Sequence, residues 1–102
     1  MDAQLKKGIL EMCILRYVEQ HSPYGYDILQ MMHRYFPEVS ESTLYAILRR
    51  LHSEGATATF TGEVSKGPAR KYYRITDAGQ QRLAQMKEDW HRLQEIVSQL
   101  GL

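Results

Sequence analysis

The sequence predicts a mainly helical fold with one small β-hairpin, in the order α-α-α-β-β-α. Two patterns predict this order. Apolar residues recur at helical spacing in four segments, and a Thr-rich and aromatic segment before the last of these alternates like paired strands. The length sets the scale, because 102 residues, 43% of them hydrophobic, supply one modest core.

The first predicted helix covers the segment "LKKGILEMCILRYV". Its apolar residues follow helical spacing on more than one side, so we expect neighbours on more than one side. These residues are Leu5, Ile9, Leu10, Met12, Cys13, Ile14, Tyr17 and Val18. Cys13 is the only cysteine in the sequence, and its apolar neighbours predict a small core residue in a reducing cytoplasm.

The second predicted helix runs from about Tyr24 to Phe36. We expect Ser22 to cap this helix and Pro23 to take its first position, where the missing N–H of proline is no loss. Pro37 then ends the helix, because proline cannot continue the hydrogen-bond pattern.

The third predicted helix begins after the short turn "PEVS", with Ser40 as its cap and Glu41 at the positive end of its dipole, and Gly55 ends it. One face is a buried stripe of Leu44, Ile47, Leu48 and Leu51. The opposite face carries hydrogen-bond donors and cations. Two helices joined by so short a turn are a helix-turn-helix candidate.

The hairpin is predicted from "ATATFTGEV" and "ARKYYRIT", with the turn residues "SKGP" between them. Alternation along the second strand separates its two tyrosines. Tyr73 is in phase with Ile75 and is expected in the core. Tyr72 is in phase with Arg70 and Arg74, where its hydroxyl is placed to donate to a phosphate.

The last predicted helix is capped by Thr76 and Asp77 and continues to about Leu100. Its apolar residues form a narrow heptad seam with successive spacings of 3, 4, 3, 4 and 3. The seam consists of Leu83, Met86, Trp90, Leu93, Val97 and Leu100. Because the first three helices are committed to one compact unit, a second copy of the chain is the expected partner of this seam.

These elements describe a winged helix-turn-helix over residues 1–76 and a dimerisation helix over residues 77–102 that packs with the first helix of the partner. In such folds the third helix enters the major groove and the hairpin flanks it. The net charge is only +1, but basic residues cluster in the hairpin and third helix, and acidic residues in the last helix. The candidate DNA-binding residues are Ser42, Thr43, Tyr45, Arg49, Arg50, Lys66, Arg70, Lys71 and Tyr72. A solvated charged face is the simpler alternative.

Five short motifs occur in a fixed order between about Leu5 and Leu83: "YGYDI", "SESTLYAILRRL", "EG", "RKYYRIT" and "TDAGQQRL". Together they resemble the amino-terminal signature of the PadR family of bacterial transcriptional regulators. The helix that follows resembles the dimerisation helix of the family's short members. The resemblance implies a dimeric, cytoplasmic, nucleoid-associated repressor that binds a palindromic operator and is released by planar aromatic, phenolic or drug-like molecules.

Trp90 lies on the heptad seam, so a two-fold axis brings it close to its symmetry mate. One interpretation is a large apolar residue that stabilises the interface. The alternative is a pair of aromatic planes between which a flat ligand stacks. The candidate ligand-binding residues are Trp90, Met86, Leu93, Met12, Ile9 and Leu5.

Other classes of function find little support in the sequence. The four histidines share no metal-ligand spacing with Cys13 or with one another, and we expect no metal or cofactor. The sequence contains no phosphate loop, nucleophile elbow or paired acid and base, so we expect no enzyme. A winged-helix protein-interaction adaptor, without DNA or ligand binding, is the remaining alternative.

Overall fold

The computed structural model describes residues 1–62 and 70–102 of the chain. The elements are α1 (Ala3–Lys6), α2 (Ile9–His21), α3 (Gly25–Tyr35), α4 (Glu41–Ser53), β1 (Thr57–Gly62), β2 (Arg70–Ile75) and α5 (Asp77–Gln99). The predicted fold class is confirmed. The predicted first helix, however, is divided into α1 and α2.

The division occurs at Gly8, which has a φ of 88° and precedes the first residue of α2. Glycine adopts this left-handed conformation without the steric cost that a Cβ brings. Asp2 caps the short α1 by accepting from the backbone N–H of Gln4 at 2.9 Å. The prediction of one continuous helix from Leu5 was wrong at this point, because apolar spacing runs through the break and carries no information on φ.

The start of α3 also differs from the prediction. Ser22 does not cap α3; it follows the last residue of α2 in a left-handed conformation, and its N–H donates to the carbonyl of Val18 at 3.0 Å. Pro23 precedes the helix, and its carbonyl accepts from the N–H of Tyr73 at 2.8 Å. Tyr24 is the extended residue before the helix. Pairing with β2 keeps the Pro23–Tyr24 segment out of the helix.

The two strands form an antiparallel pair in which Thr57 lies opposite Ile75 and Phe60 opposite Tyr72. Tyr24 adds an isolated bridge to Tyr72 at the other edge of β2. Tyr73 and Ile75 pack against the hydrophobic core, as predicted. The outer face of the sheet carries Phe60, Tyr72, Arg70 and Arg74.

The hydrophobic core forms where α2 packs against α3, α5 and β2. The largest fully buried side chains are Ile14, Leu15, Val18, Ile28, Met32, Leu44, Leu48, Leu51 and Leu83. The four residues predicted as the buried stripe of α4 are all buried, which confirms that prediction. Their burial leaves the opposite face of α4 to solvent.

The start of α5 sits directly on the backbone that leads into β1. The hydroxyl of Thr76 donates to the carbonyl of Gly55 at 2.6 Å and accepts from the N–H of Gly79 at 3.0 Å, which confirms the predicted cap. A Cβ added to Gly79 would lie 2.0 Å from the carbonyl oxygen of Ala56. Only a glycine fits this contact.

A buried carboxylate joins three helices. Glu11 of α2 is 8% exposed and pairs with Arg50 of α4 (Nη2 to Oε2, 2.8 Å) and with Arg82 of α5 (Nη2 to Oε1, 2.6 Å). Arg82 also contacts Glu54 at 2.5 Å, and this hydrogen bond, with the field of Glu11, raises the pKa of the Arg82 guanidinium. A carboxylate removed from water requires such partners to offset its lost hydration.

The contact of Gly79 gives a first prediction. Gly79→Ala forces the first turn of α5 away from Ala56, so we expect a loss of about 1 to 3 kcal/mol in the free energy of unfolding. Urea unfolding followed by circular dichroism measures it. The exposed neighbour provides the control, because Gln80→Ala should change the free energy by less than about 0.5 kcal/mol. Equal stability of the two variants would contradict the packing described.

The carboxylate cluster gives a second prediction. Glu11→Gln keeps the shape of the side chain but removes the charge that two guanidinium groups share, and we expect a loss of about 1.5 to 3 kcal/mol in the free energy of unfolding. Both arginines are partly exposed and recover some hydration, which limits the loss. Glu88→Gln, at an exposed position of α5, is the control. The interpretation fails if both variants unfold at the same urea concentration.

Candidate nucleic-acid and effector interface

The exposed face of α4 is the first part of the candidate site. Ser42, Tyr45 and Arg49 are exposed on the side opposite the buried stripe. Thr43 is also exposed, but it takes part in the cap of α4: its N–H donates to Ser40 Oγ at 3.2 Å, and the two hydroxyls lie 2.9 Å apart. The hydroxyl of Ser42 is 3.1 Å from the same Ser40 oxygen. The first turn of α4 is therefore held by a small hydroxyl network.

Arg49 and Arg50 point in different directions. Arg50 turns toward α2 and binds Glu11, so its guanidinium supports the fold in this structure. Arg49 extends into solvent from the exposed face. Adjacent residues of a helix differ by about 100° in direction, which separates the two roles. A signal for this was present in the sequence: Glu11 lies within an apolar helix and needs a cation near it.

The hairpin of β1 and β2, which we call the wing, contributes basic residues at the start of β2. Arg70 and Lys71 are exposed, on opposite faces of the strand. Lys66, also predicted to bind DNA, lies outside the described residues. Arg74 is exposed on the same face as Arg70. The described part of the wing therefore presents cations on both faces.

Tyr72 belongs to a row of aromatic rings on the outer face of the sheet. Its ring stacks on Phe60 with centroids 5.6 Å apart and lies 6.0 Å from the ring of Tyr24. Tyr26 extends the row, 6.1 Å from Tyr24. The guanidinium of Arg70 covers Tyr24 at 5.0 Å from the ring centroid, a cation–π contact. The sequence interpretation missed this row, although "YGY" and the phase of Phe60 were its signals.

The predicted seam on α5 divides into two parts. Leu83 is 1% exposed in the protomer's own core, and so it is not accessible to a second chain in this structure. Met86 is half-buried against the core. Beyond it, the apolar side chains are exposed: Trp90, Leu93, Ile96, Val97 and Leu100. The heptad spacing did not include Ile96.

Trp90 stands between two grooves. The first, which we call the Met86 groove, has a volume of about 210 Å³ and is lined by Lys7, Gly8, Ile9, Met12, Met86, Asp89, Trp90 and Leu93. It brings together five of the six residues predicted to bind a ligand. The sixth, Leu5, lies apart and is 68% exposed.

The second groove, which we call the Tyr17 groove, has a volume of about 370 Å³. Its lining comprises Met12, Cys13, Arg16, Tyr17, Gln20, Leu83, Lys87, Trp90 and His91. Burial raises the pKa of the Cys13 thiol, so this sulfur stays protonated and apolar at neutral pH. Trp90 is thus accessible from two sides, each with a methionine in the wall. The sequence interpretation missed the Tyr17 groove.

Within residues 1–62 and 70–102, no group of three His, Cys, Asp or Glu side chains is placed to hold a metal ion. No helix of the same ranges combines the length and apolar character needed to cross a membrane.

The chain is similar to known proteins over most of its length. The sequence model of the "Transcriptional regulator PadR-like family" matches residues 14–85. An uncharacterised protein of Lysinibacillus sphaericus is 35% identical over 94 residues, which is 89% of this chain and 86% of that one. A transcriptional regulator of Mycobacterium tuberculosis is 29% identical over 97 residues, covering 95% and 87% respectively.

Solved structures agree with this similarity. A PadR-like transcriptional regulator from Bacillus cereus has a TM-score of 0.86 at 36% identity and covers 96% of both chains. A Streptococcus transcriptional regulator has a TM-score of 0.87 at 27% identity, over 99% of this chain and 100% of that one. The family consists of DNA-binding proteins without enzymatic activity, which confirms the prediction that the chain is not an enzyme. This chain belongs to the PadR-like family of transcriptional regulators.

Proposed function

We propose that the protein is a homodimeric, sequence-specific repressor that acts at the bacterial nucleoid and leaves its operator when a flat aromatic or drug-like molecule binds beside Trp90. The observation that carries this proposal is the separation of two surfaces. The first surface, which we call the reading face, comprises exposed residues of α4 and the wing: Ser42, Tyr45, Arg49, Arg70 and Lys71. The second is the exposed apolar face of α5, with a groove on either side of Trp90.

The apolar face of α5 supports the dimer. Leucine, isoleucine and valine side chains beyond Trp90 stand in water in the single chain, and their burial against a second copy is favourable. Exposed Leu5 offers an apolar contact to the α5 of a partner, in keeping with the predicted packing between the last helix and the first. A two-fold axis along this seam brings the two Trp90 side chains together.

DNA recognition would then use two copies of α4. In a two-fold dimer these helices enter successive major grooves, with half-sites about 34 Å apart. Arg49 is the residue we assign to bidentate pairing with guanine, and Ser42, Thr43 and Tyr45 to base edges or phosphates. Arg70 and Lys71 would bind phosphates. Arg50 is assigned to support of α4 through Glu11.

The grooves beside Trp90 support the effector role. Their walls include Met12, Met86 and the indole ring, and methionine adapts its shape to more than one ligand. A molecule that binds the released conformation better than the DNA-bound one shifts the population toward release. The affinity difference between the two conformations sets the size of the response.

Substitution of Arg49 tests the reading face. Arg49→Ala should lower the affinity for an operator in the protein's own promoter region by about 1 to 3 kcal/mol, with the dimer intact. Gel shifts over a range of salt concentrations measure the affinity, and sedimentation measures the dimer. Arg92→Ala, at an exposed position of α5, is the control of equal charge change. If the native protein binds promoter and random DNA equally, the repressor proposal is wrong and the adaptor interpretation is favoured.

Substitution of Trp90 tests the effector site. A planar aromatic dye should quench the single tryptophan, and Trp90→Ala should weaken dye binding by about 1 to 3 kcal/mol, the worth of two aromatic contacts. The anisotropy of the dye reports binding when the tryptophan is absent. Trp90→Phe retains an aromatic plane and should keep most of the affinity. Equal dye affinity in the native protein and in Trp90→Ala would exclude stacking at this residue.

A further inference from the structure

The segment before Gly8, residues 1–7, is here called the N-terminal arm. Its helix α1 is a single turn, and apart from Lys6 the arm residues are exposed. The arm joins α2 through Gly8, whose φ is 88°. The first hydrogen bond of α2, from the N–H of Met12 to the carbonyl of Gly8, lies after this junction. Rotation about Gly8 therefore changes the direction of the arm and leaves α2 intact.

One ion pair ties the arm to the turn before α4. Lys6 Nζ lies 3.0 Å from Glu38 Oε1, and the Lys6 side chain is only 12% exposed. Glu38 stands two residues before Ser40, the cap of α4. Hydrogen bonds to its own backbone and to Lys6 lower the pKa of the Glu38 carboxyl, so the carboxylate is charged at neutral pH. Most isolated surface ion pairs add little to the free energy of unfolding, so we expect this contact to contribute little to stability.

The end of the arm forms part of two cavity walls. Lys7 and Gly8 line a cleft of about 440 Å³ between the arm and α4, which Thr43 and Ile47 also line. The same Lys7 and Gly8 line the Met86 groove, beside Trp90. A displacement of these two residues changes both cavities at once. The cleft beside α4 and the Met86 groove thus have Lys7 and Gly8 in common.

We propose that Lys6 and Glu38 are positioning residues for α4, the reading helix. Their contact holds the arm so that the position of the first turn of α4 and the width of the Met86 groove change together. A molecule that binds in the Met86 groove and widens it displaces Lys7 and Gly8 and turns the arm. Through Lys6, the arm then pulls on Glu38. The pull reaches Ser40 and the hydroxyl network at the first turn of α4. The identity of this molecule as an effector rests on the proposed function, whereas the link between the arm and the groove does not.

Exchange of the two charges tests the link. Lys6→Glu and Glu38→Lys each break the contact, and the double variant Lys6→Glu with Glu38→Lys restores it in reverse. Trp90 is the only tryptophan, so its quenching by acrylamide reports access to the indole that forms one wall of the Met86 groove. We expect both single variants to raise the quenching constant and the double variant to return it to the native value. A role confined to overall stability would not give this rescue in a folded protein.

DNA binding provides a second readout, because two explanations predict different directions for the change in affinity. Non-specific electrostatics predicts that Lys6→Glu weakens DNA binding and Glu38→Lys strengthens it. Positioning predicts instead that both lower the ratio of specific to random-DNA affinity, by about 2- to 30-fold, and that the double variant restores it. Glu41→Lys, an exposed residue at the start of α4 with the same charge change, should leave Trp90 quenching unaltered.

The milder variant Glu38→Gln covers the case in which a charge reversal unfolds the chain, and it should raise Trp90 quenching in the same direction. Native quenching in Glu38→Gln and in both reversals would overturn the proposal, and so would a double variant that fails to recover. A protein without specific promoter binding would refute the repressor proposal only, because the quenching series still decides the link between arm and groove.

Discussion

The contact among helices α2, α4 and α5 centres on the carboxylate of Glu11. This buried group on α2 binds one guanidinium from α4, which carries the proposed DNA-binding face, and one from α5, which carries the exposed apolar face. One charged group therefore links α2, α4 and α5 and constrains their mutual orientation. Because that group lies out of water, the helices cannot separate without leaving an unpaired ion. Apolar packing brings these helices together, and the ion cluster selects how they meet.

Sequence patterns predicted correctly the elements whose apolar residues lie on one face. The stripe of α4 and the caps Ser40 and Thr76 depend on local spacing, and they were predicted correctly. The errors arose where a non-local contact or an unusual φ decides the backbone. Pairing with β2 holds Pro23 outside α3, and Gly8 interrupts an apolar spacing that continues through it. Neither feature alters the periodicity of the sequence.

The candidate site was predictable in part, for related reasons. Five of the six suggested ligand residues line one groove because helices α2 and α5 pack side by side along their apolar faces. Heptad spacing, however, does not mark the point along α5 where the protomer's core ends, and so it included Leu83 in the seam. Composition alone could not separate Arg49 from Arg50, since only the position of Glu11 distinguishes them.

The separation of Arg49 from Arg50 has a consequence for the engineering of this protein. Positions 42, 45 and 49 face solvent, whereas Arg50, itself half-exposed, pairs with the buried carboxylate of Glu11. Exchanges at the first three positions should therefore disturb the fold less than an exchange at position 50. Helix α4 therefore combines exposed side chains of the proposed DNA-binding face with one arginine that supports the fold. Under the proposed function, a library that varies the first three positions and retains Arg50 should sample new operator sequences on a constant scaffold, which makes α4 a practical starting point for redesign of specificity.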